Sequence, residues 1–228
     1  KTGLGKRIAY NLIAAFGSSS LRLSYALALS DLILAPATPS NTARVGGVIM
    51  PITTSLAKAF GSEPQDGPRK IGSFLMQSIY QVNTITSAMF QTSMAGNTLV
   101  AALALQSFGI VITWGDWAMA AIVPGIVALL IMPYFIYKVY PPEIRDAREA
   151  QQMIREELRG LGKMSFQEWV MLGVFVLALV LWATSQFTKI DATTVAFLGI
   201  SILLATSVLV WDDVKSEKGA WDTLVWMG

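Results

Sequence analysis

The sequence predicts an all-α polytopic membrane protein, and three observations carry that prediction. Of the 228 residues, 54% are apolar and only 14% are charged, whereas about 25% of a soluble domain is charged. Three charge-free stretches of about 20 residues, 117–137, 169–188 and 192–211, are each long enough to cross a bilayer. Apolar segments recur along the whole length, which excludes a signal peptide followed by a soluble domain.

Residues 1–17 are short and amphipathic, with Lys6 and Arg7 near their start, and we predict an interfacial helix. Residues 18–60 contain two apolar arms. The charge-free part of the second arm, 45–57, covers roughly 20 Å at ~1.5 Å per residue, which is too short for a ~30 Å hydrocarbon core. Residues 18–60 are therefore predicted to form a re-entrant hairpin that enters the membrane and returns to the same side.

The remaining elements follow from turn residues and from the spacing of charges. In chain order, they are a broken transmembrane helix over 71–110, a transmembrane helix over 115–140, a charged connector over 141–165, transmembrane helices over 166–188 and 191–211, and the start of a second repeat over 212–228.

The basic residues give the orientation, because they are in excess in cytoplasmic loops. When the hairpin enters and leaves on one side and the later helices alternate, nearly all of the 17 basic residues fall on that side. Lys189 lies in an opposite loop and Arg44 lies near the hairpin tip. We therefore predict a multi-pass protein of the cytoplasmic (inner) membrane, whose hairpin enters from the cytoplasm.

The turn of the hairpin is the most polar part of an apolar stretch. Pro36 and Pro39 disfavour helix at Ala35 and Thr38, so the first arm is predicted to end there with its free carbonyl groups at the tip. Ser40 is a good N-cap for the second arm, whose free N–H groups face the same place. The tip therefore offers oxygen atoms to a cation and a positive helix end to an anion.

Two further features support a cavity at this depth. The sequence SMAGNT (93–98) is expected to break the helix over 71–110 at Gly96 and Asn97. Gly46 and Gly47 in the second arm are expected to let the two arms approach closely. A re-entrant segment that only packs, and a helix that is merely kinked, are the simpler alternatives.

Three segments together resemble one family. They are APATPSNTARVGGVIMPI (35–52), SIYQVNTITSAMFQTSMAGN (78–97) and YPPEI (140–144). They look like the divalent anion:sodium symporter family, and within it the branch of citrate/succinate antiporters and 2-oxoglutarate/malate translocators. The resemblance covers essentially all of the chain. It implies a homodimeric elevator-type transporter with two inverted repeats, of which this chain is the first, as a fragment of a longer protein.

The resemblance also implies site residues. The implied substrate-binding residues are Ser40, Asn41, Thr42, Gly96, Asn97 and Thr98. In sodium-coupled members, Ser40, Asn41 and the backbone at Gly96 would surround a cation. Such members tend to have a hydroxyl where this chain has Pro36, and prolines where it reads AGNT (95–98), so both departures argue against sodium as a cofactor.

Arg44 lies one turn into the second arm, at a depth where an unpaired guanidinium is expensive. Asp31, on the first arm, is the nearby residue that could pair with it. The pair either only holds the arms together, or Arg44 compensates substrate charge where relatives bind a cation. The second alternative favours obligate anion exchange without sodium.

The leading hypothesis is thus a secondary transporter that exchanges di- or tricarboxylates of the citrate, succinate, 2-oxoglutarate or malate type. The runner-up is a sodium-coupled dicarboxylate symporter. An intramembrane enzyme with Asp31 as its acid and a purely structural membrane subunit are alternatives from other classes. The chain has no cysteine and no histidine, and its basic residues are scattered. We therefore expect no Ser-His-Asp triad, no zinc site, no enzyme activity and no nucleic-acid partner.

Overall fold

The computed structural model describes residues 2–38, 40–218, 221 and 225. Lys1, Pro39 and part of 212–228, predicted to start a second repeat, lie outside the described residues. The described residues fold into helices without a named β-strand, so the all-α prediction is confirmed.

The helices of the described residues are α1 (Leu4–Phe16), α2 (Ser20–Leu34), α3 (Asn41–Arg44), α4 (Met50–Ala59), α5 (Gly72–Met89), α6 (Ala95–Phe108), α7 (Trp114–Val139), α8 (Arg148–Gly160), α9 (Phe166–Ala183), α10 (Ser185–Thr188), α11 (Ala192–Ala205) and α12 (Trp211–Ser216). Short 3₁₀ turns follow α2 at Ala35–Ala37 and α5 at Gln91–Ser93.

The second hairpin arm is one continuous helix with a widened turn. α3 passes directly into a π-helical turn, Val45–Ile49, which passes into α4. Pro51 lies in the first turn of α4, where its ring would clash with the carbonyl of Gly47 in a regular helix. A π turn removes that conflict, and such turns are frequent at functional sites.

The main core forms where α1, α2, α4, α5, α7 and α8 meet. Ile13, Leu23 and Phe74 are among its fully buried members. The buried residues of α1 pack against both α2 and α8. The amphipathic segment predicted over 1–17 is therefore a helix whose apolar face is buried by protein.

The loops that the sequence places on the cytoplasmic side meet at one end of the molecule. Backbone N–H groups of Glu143 and Ile144 donate to carbonyls of the 61–70 loop at 3.1 and 2.9 Å. Arg7 of α1 forms an ion pair of 2.7 Å with Glu168 at the start of α9. The threading that places these loops on the cytoplasmic side stays a prediction.

Two described helices, α7 and α9, are long and apolar enough to cross a membrane, judged by length and composition. α11 is shorter than the predicted helix over 191–211, because it ends at Ala205 after 14 residues. The Thr206 hydroxyl donates back to Ile202 O at 2.8 Å, and Ser207 has a left-handed backbone with φ of 56°, so the helix does not continue.

The expected role of Gly46 and Gly47 was wrong. An added Cβ at either glycine would meet no atom within 4 Å, so neither lets the arms approach. The register of the π turn directs Val48 toward the other elements instead, and Val48 packs against Gly5 of α1, where an added Cβ would lie 3.2 Å away.

Candidate functional site

The hairpin tip, described at residues 35–38 and 40, lies between the two arms. Ala35 keeps helical dihedral angles, φ −55° and ψ −49°, so the expectation that Pro36 removes it from helix was wrong, because a 3₁₀ turn accommodates the proline. Thr38 is extended, with φ −118° and ψ 96°. Ser40 is the N-cap predicted for the second arm, and its hydroxyl accepts from Ala43 N at 3.2 Å.

The break, residues 90–94, separates α5 from α6. Its ends are extended: Phe90 has φ −128° and ψ 142°, and Met94 has φ −151° and ψ 139°. Gly96 and Asn97, which were expected to interrupt the helix, lie instead in the first turn of α6. The interruption lies earlier in the chain than predicted.

Side chains replace the backbone hydrogen bonds that the break removes. The Asn97 amide Nδ2 donates to Ser87 O at 2.7 Å and to Phe90 O at 2.9 Å. The Ser93 hydroxyl reaches the same two carbonyls at 2.6 and 2.7 Å. Buried carbonyls that leave a helix need such partners, and this requirement explains why the chain can leave the helix at Phe90.

The pairing of Arg44 with Asp31, which was predicted across the hairpin, is present. Arg44 Nε donates to Asp31 Oδ1 at 2.9 Å, and both side chains are fully buried. The other carboxylate oxygen accepts from the Thr86 hydroxyl of α5. A buried pair of this kind is well satisfied, whereas removal of one partner would cost about 3–5 kcal/mol.

An arginine shell of oxygen atoms surrounds the Arg44 guanidinium. Nη1 donates to Thr38 O of the tip at 3.1 Å and to Ser93 O of the break at 3.3 Å. Nη2 donates to the hydroxyls of Thr86 and Ser87 at 3.3 and 2.9 Å. With Asp31, the five N–H donors of the guanidinium all have acceptors. Arg44 therefore fastens the tip to the break and retains no donor for a ligand.

The predicted motif residues Ser40, Asn41 and Thr42 lie at the start of the second arm. Ser40 and Thr42 are exposed and Asn41 is half-buried. The Asn41 side-chain oxygen accepts from Thr42 N at 2.9 Å, but within the described residues its Nδ2 group has no acceptor. The Asn41 amide, the Ser40 hydroxyl proton and the first N–H group of the helix are therefore available to an anion.

The predicted site residues at the start of α6, Gly96, Asn97 and Thr98, have different roles. Asn97 is buried and braces the break, whereas Thr98 is exposed and its hydroxyl donates to Ala95 O at 2.7 Å. Gly96 is half-buried beside Met94. Within the described residues, no hydrogen bond joins 40–42 directly to 96–98. The connection is indirect: Arg44, which follows 40–42, donates to the carbonyl of Ser93, which precedes 96–98.

Sequence reasoning missed Thr92, Ser93 and Trp114 as parts of the site. Thr92 and Trp114 form a second connection to the tip. A cavity of about 400 Å³ opens beside it, between the tip, the break and the faces of α9 and α11. The available signal was the polar run QTS (91–93) in an apolar helix, together with a buried tryptophan, whose N–H needs a partner.

The whole chain, residues 1–228, matches the family described as sodium:sulfate symporter transmembrane region. The chain belongs to that family. The resemblance to divalent anion:sodium symporters is thereby confirmed, and with it the prediction of a membrane protein.

Curated relatives carry names that narrow the comparison. The chain is 53% identical over 99% of its length to the "Putative malate transporter YflS" of Bacillus subtilis. It is 48% identical over 100% of its length to the "Inner membrane protein YbhI" of Escherichia coli, and 46% identical over 99% of its length to the "Dicarboxylate transporter 1, chloroplastic" of Spinacia oleracea. It covers 48%, 47% and 40% of these proteins, so this family member spans about half their length. Two of these relatives are named as transporters and none is named as an enzyme, as the sequence predicts.

Proposed function

We propose that this chain forms one half of a secondary transporter that exchanges di- or tricarboxylates across the cytoplasmic membrane. The hairpin enters from the cytoplasmic side, and alternating access follows an elevator mechanism. The observation that carries the proposal is a helix start whose donors have no acceptor among the described residues, held at a fixed place by a buried arginine. The names of the malate and dicarboxylate transporters among the relatives support the substrate class.

The start of the second arm suits a carboxylate. Ser40, Asn41 and the first N–H group of the helix offer donors around one point, and a helix N-terminus favours negative charge. Thr42 and the start of α6 at Gly96, Asn97 and Thr98 complete the proposed half-site. Residues outside this chain would bind the other carboxylate group of the substrate.

The arginine shell supports transport without sodium. Its acceptors are a carboxylate, two hydroxyls and two carbonyls, one from the tip and one from the break. Oxygen atoms of these types are the ligands that a hard metal cation prefers. Arg44 occupies their centre, so a tethered cation takes these oxygen atoms and they are not available to a sodium ion, although the cation site that the resemblance implies at Ser40, Asn41 and Gly96 shares none of them. Because Arg44 is paired with Asp31, the charge compensation that we propose for it consists of replacing a bound cation and adds no net charge beside the substrate.

The unpaired donors at the tip support obligate exchange. An empty site that crossed the membrane would carry the Asn41 amide and the Ser40 hydroxyl into a desolvated environment without acceptors. Unpaired polar groups cost several kcal/mol in such surroundings. The site should therefore return with an anion bound, which gives one anion in for one anion out.

The test uses the full-length transporter in proteoliposomes. We expect uptake of labelled malate or citrate that requires internal succinate and that is equal in sodium and in choline buffers. A sodium-coupled dicarboxylate symporter is the second candidate, because the family description names sodium. Sodium-dependent uptake into empty vesicles would replace exchange with that candidate and would assign Ser40, Asn41 and Gly96 to a cation.

The proposed assembly is a homodimer in a lipid bilayer. The large apolar side chains exposed on α7, among them Val123, Leu130 and Phe135, are available to lipid or to protein outside this chain.

A further inference from the structure

A second polar connection holds the tip, separate from the arginine shell. The Thr92 hydroxyl of the break donates to Pro36 O at 2.6 Å. The indole Nε1 of Trp114, the first residue of α7, donates to the same Thr92 oxygen at 3.0 Å. Thr92 and Trp114 are 8% and 9% exposed. The three residues therefore form a buried relay from α7 through the break to the tip.

The chemistry of a hydroxyl makes this relay directional. A threonine hydroxyl has one proton to donate. Because the Trp114 N–H occupies a lone pair of the Thr92 oxygen, the proton is left to point at Pro36 O. Within the described residues, Thr92 is the donor that reaches this buried carbonyl, which has left helix α2 and lies in the 3₁₀ turn.

Trp114 is itself held by stacking. Its ring lies between Phe90, at 5.7 Å and 16°, and Trp182 of α9, at 6.2 Å and 17°. A capping box between Thr113 and Asp116 fixes the start of α7. The indole N–H thus has a defined direction. Contacts that involve α7 and α9, as well as the break, therefore help to fix the position of the tip.

We propose that Thr92 and Trp114 are positioning residues for the proposed carboxylate site, which they serve through Pro36 without touching the substrate. The proposal rests on the function proposed above. The tip continues from Pro36 to Ser40, so a loose Pro36 carbonyl displaces the donors of Ser40 and Asn41. Their loss should raise KM more than it lowers kcat.

The test compares variants of the full-length transporter in proteoliposomes. Thr92→Val removes the hydroxyl at constant shape and should raise KM for malate about tenfold, because a buried carbonyl loses its donor. Thr92→Ser keeps the hydroxyl and should restore KM. Trp114→Phe keeps a stacked ring without the N–H and should raise KM by a smaller factor.

The chain supplies matched controls. The Trp117 indole of the same helix donates to Ala88 O at 2.9 Å, away from the tip, so Trp117→Phe should leave KM unchanged. Thr84→Val removes an exposed hydroxyl of α5 that donates to Tyr80 O at 3.0 Å, and it should likewise leave KM unchanged. Because the relay acts through one hydroxyl, adding Trp114→Phe to Thr92→Val should cause no further increase.

A second measurement separates this inference from the proposed function. Hydrogen–deuterium exchange of the peptide that covers residues 36–44 should be faster in Thr92→Val than in wild type or Thr92→Ser. If wild type transports malate but Thr92→Val keeps its KM and its exchange rate, the relay has no positioning role. If wild type does not transport dicarboxylates, the proposed function fails, and the exchange rates alone decide whether Thr92 holds the tip.

Discussion

At the scale of single residues, Asn41 and Asn97 carry the same side chain in opposite roles. The amide of Asn97 is buried and spans the carbonyls of Ser87 and Phe90. The Nδ2 group of Asn41 stands half-buried at a helix start without an acceptor in the described part of the chain. The Asn97 side chain stabilises the protein, and the Asn41 side chain is available for a ligand.

This difference predicts opposite mutant behaviour. Asn41→Ala should abolish carboxylate uptake and leave the melting temperature in detergent unchanged, since it removes no structural hydrogen bond beyond the local one to Thr42. Asn97→Ala should lower the melting temperature by several degrees, because the carbonyls of Ser87 and Phe90 each lose a hydrogen bond worth about 0.5–1.5 kcal/mol, while the Ser93 hydroxyl stays within reach of both. Normal uptake by Asn41→Ala would remove that residue from the site.

At the scale of elements, the break depends on how α5 packs against α7. Gly125 of α7 faces Met89, the last residue of α5, and an added Cβ would lie 2.5 Å from Met89 Cγ. Met89 is 1% exposed and has little room to move. The small residue on α7 therefore sets the place of the residue that precedes the break.

Gly125→Ala should therefore displace Met89, destabilise the protein by about 1–3 kcal/mol and reduce transport. Gly173→Ala in α9 is the matched control, because an added Cβ there meets no atom within 4 Å. That control should be neutral or slightly stabilising, since alanine favours helix by up to about 1 kcal/mol. Melting curves of both purified variants test this prediction. Equal stability of Gly125→Ala and Gly173→Ala would show that Met89 can move aside without cost.

The same scale shows what the sequence could and could not predict. Charge-free runs located the long helices, and Ser40 was identified as an N-cap, because both signals are local. The break was placed too late, since the extended conformation at Phe90 depends on hydrogen bonds from Ser93 and Asn97 that form only in the folded chain. Thr92 and Trp114 lie 22 residues apart, and no local pattern joins them.

At the scale of the whole molecule, polar contacts join α9 and α10 to the rest of the described chain at two places. At one place, Arg7 binds Glu168 and the carbonyl of Gly162, where α8 turns into α9. At the other place, Gln186 donates to Asp116 at 2.9 Å. Between these contacts, a cavity opens beside the tip and is lined by the tip, the break, α9 and α11, while the 3₁₀ turn of the tip also contacts α9. In the proposed elevator mechanism, movement of α9 and α11 against the hairpin and the break would have to open these contacts.

This arrangement predicts the accessibility of the loops. In a background without other reactive cysteines, Gln65→Cys in the 61–70 loop should react with a membrane-impermeant reagent only from the cytoplasmic side. Val111→Cys, in the loop between α6 and α7, should react only from outside. Both residues are exposed, so access is not limited by packing. Labelling of Gln65→Cys from outside would overturn the threading of the hairpin.

The arginine shell also determines how this half of the protein responds to voltage. A membrane potential acts on each moving charge with about 2.3 kcal/mol per 100 mV. Arg44 has Asp31 as its own counter-ion at 2.9 Å, so in the proposed mechanism the pair would move as an electrically neutral unit. A protein that recruited a mobile cation would add that charge to every crossing. In the proposed exchange the potential would act on the cargo alone, and a swap of two dianions of equal charge would leave the direction of flow to their concentrations.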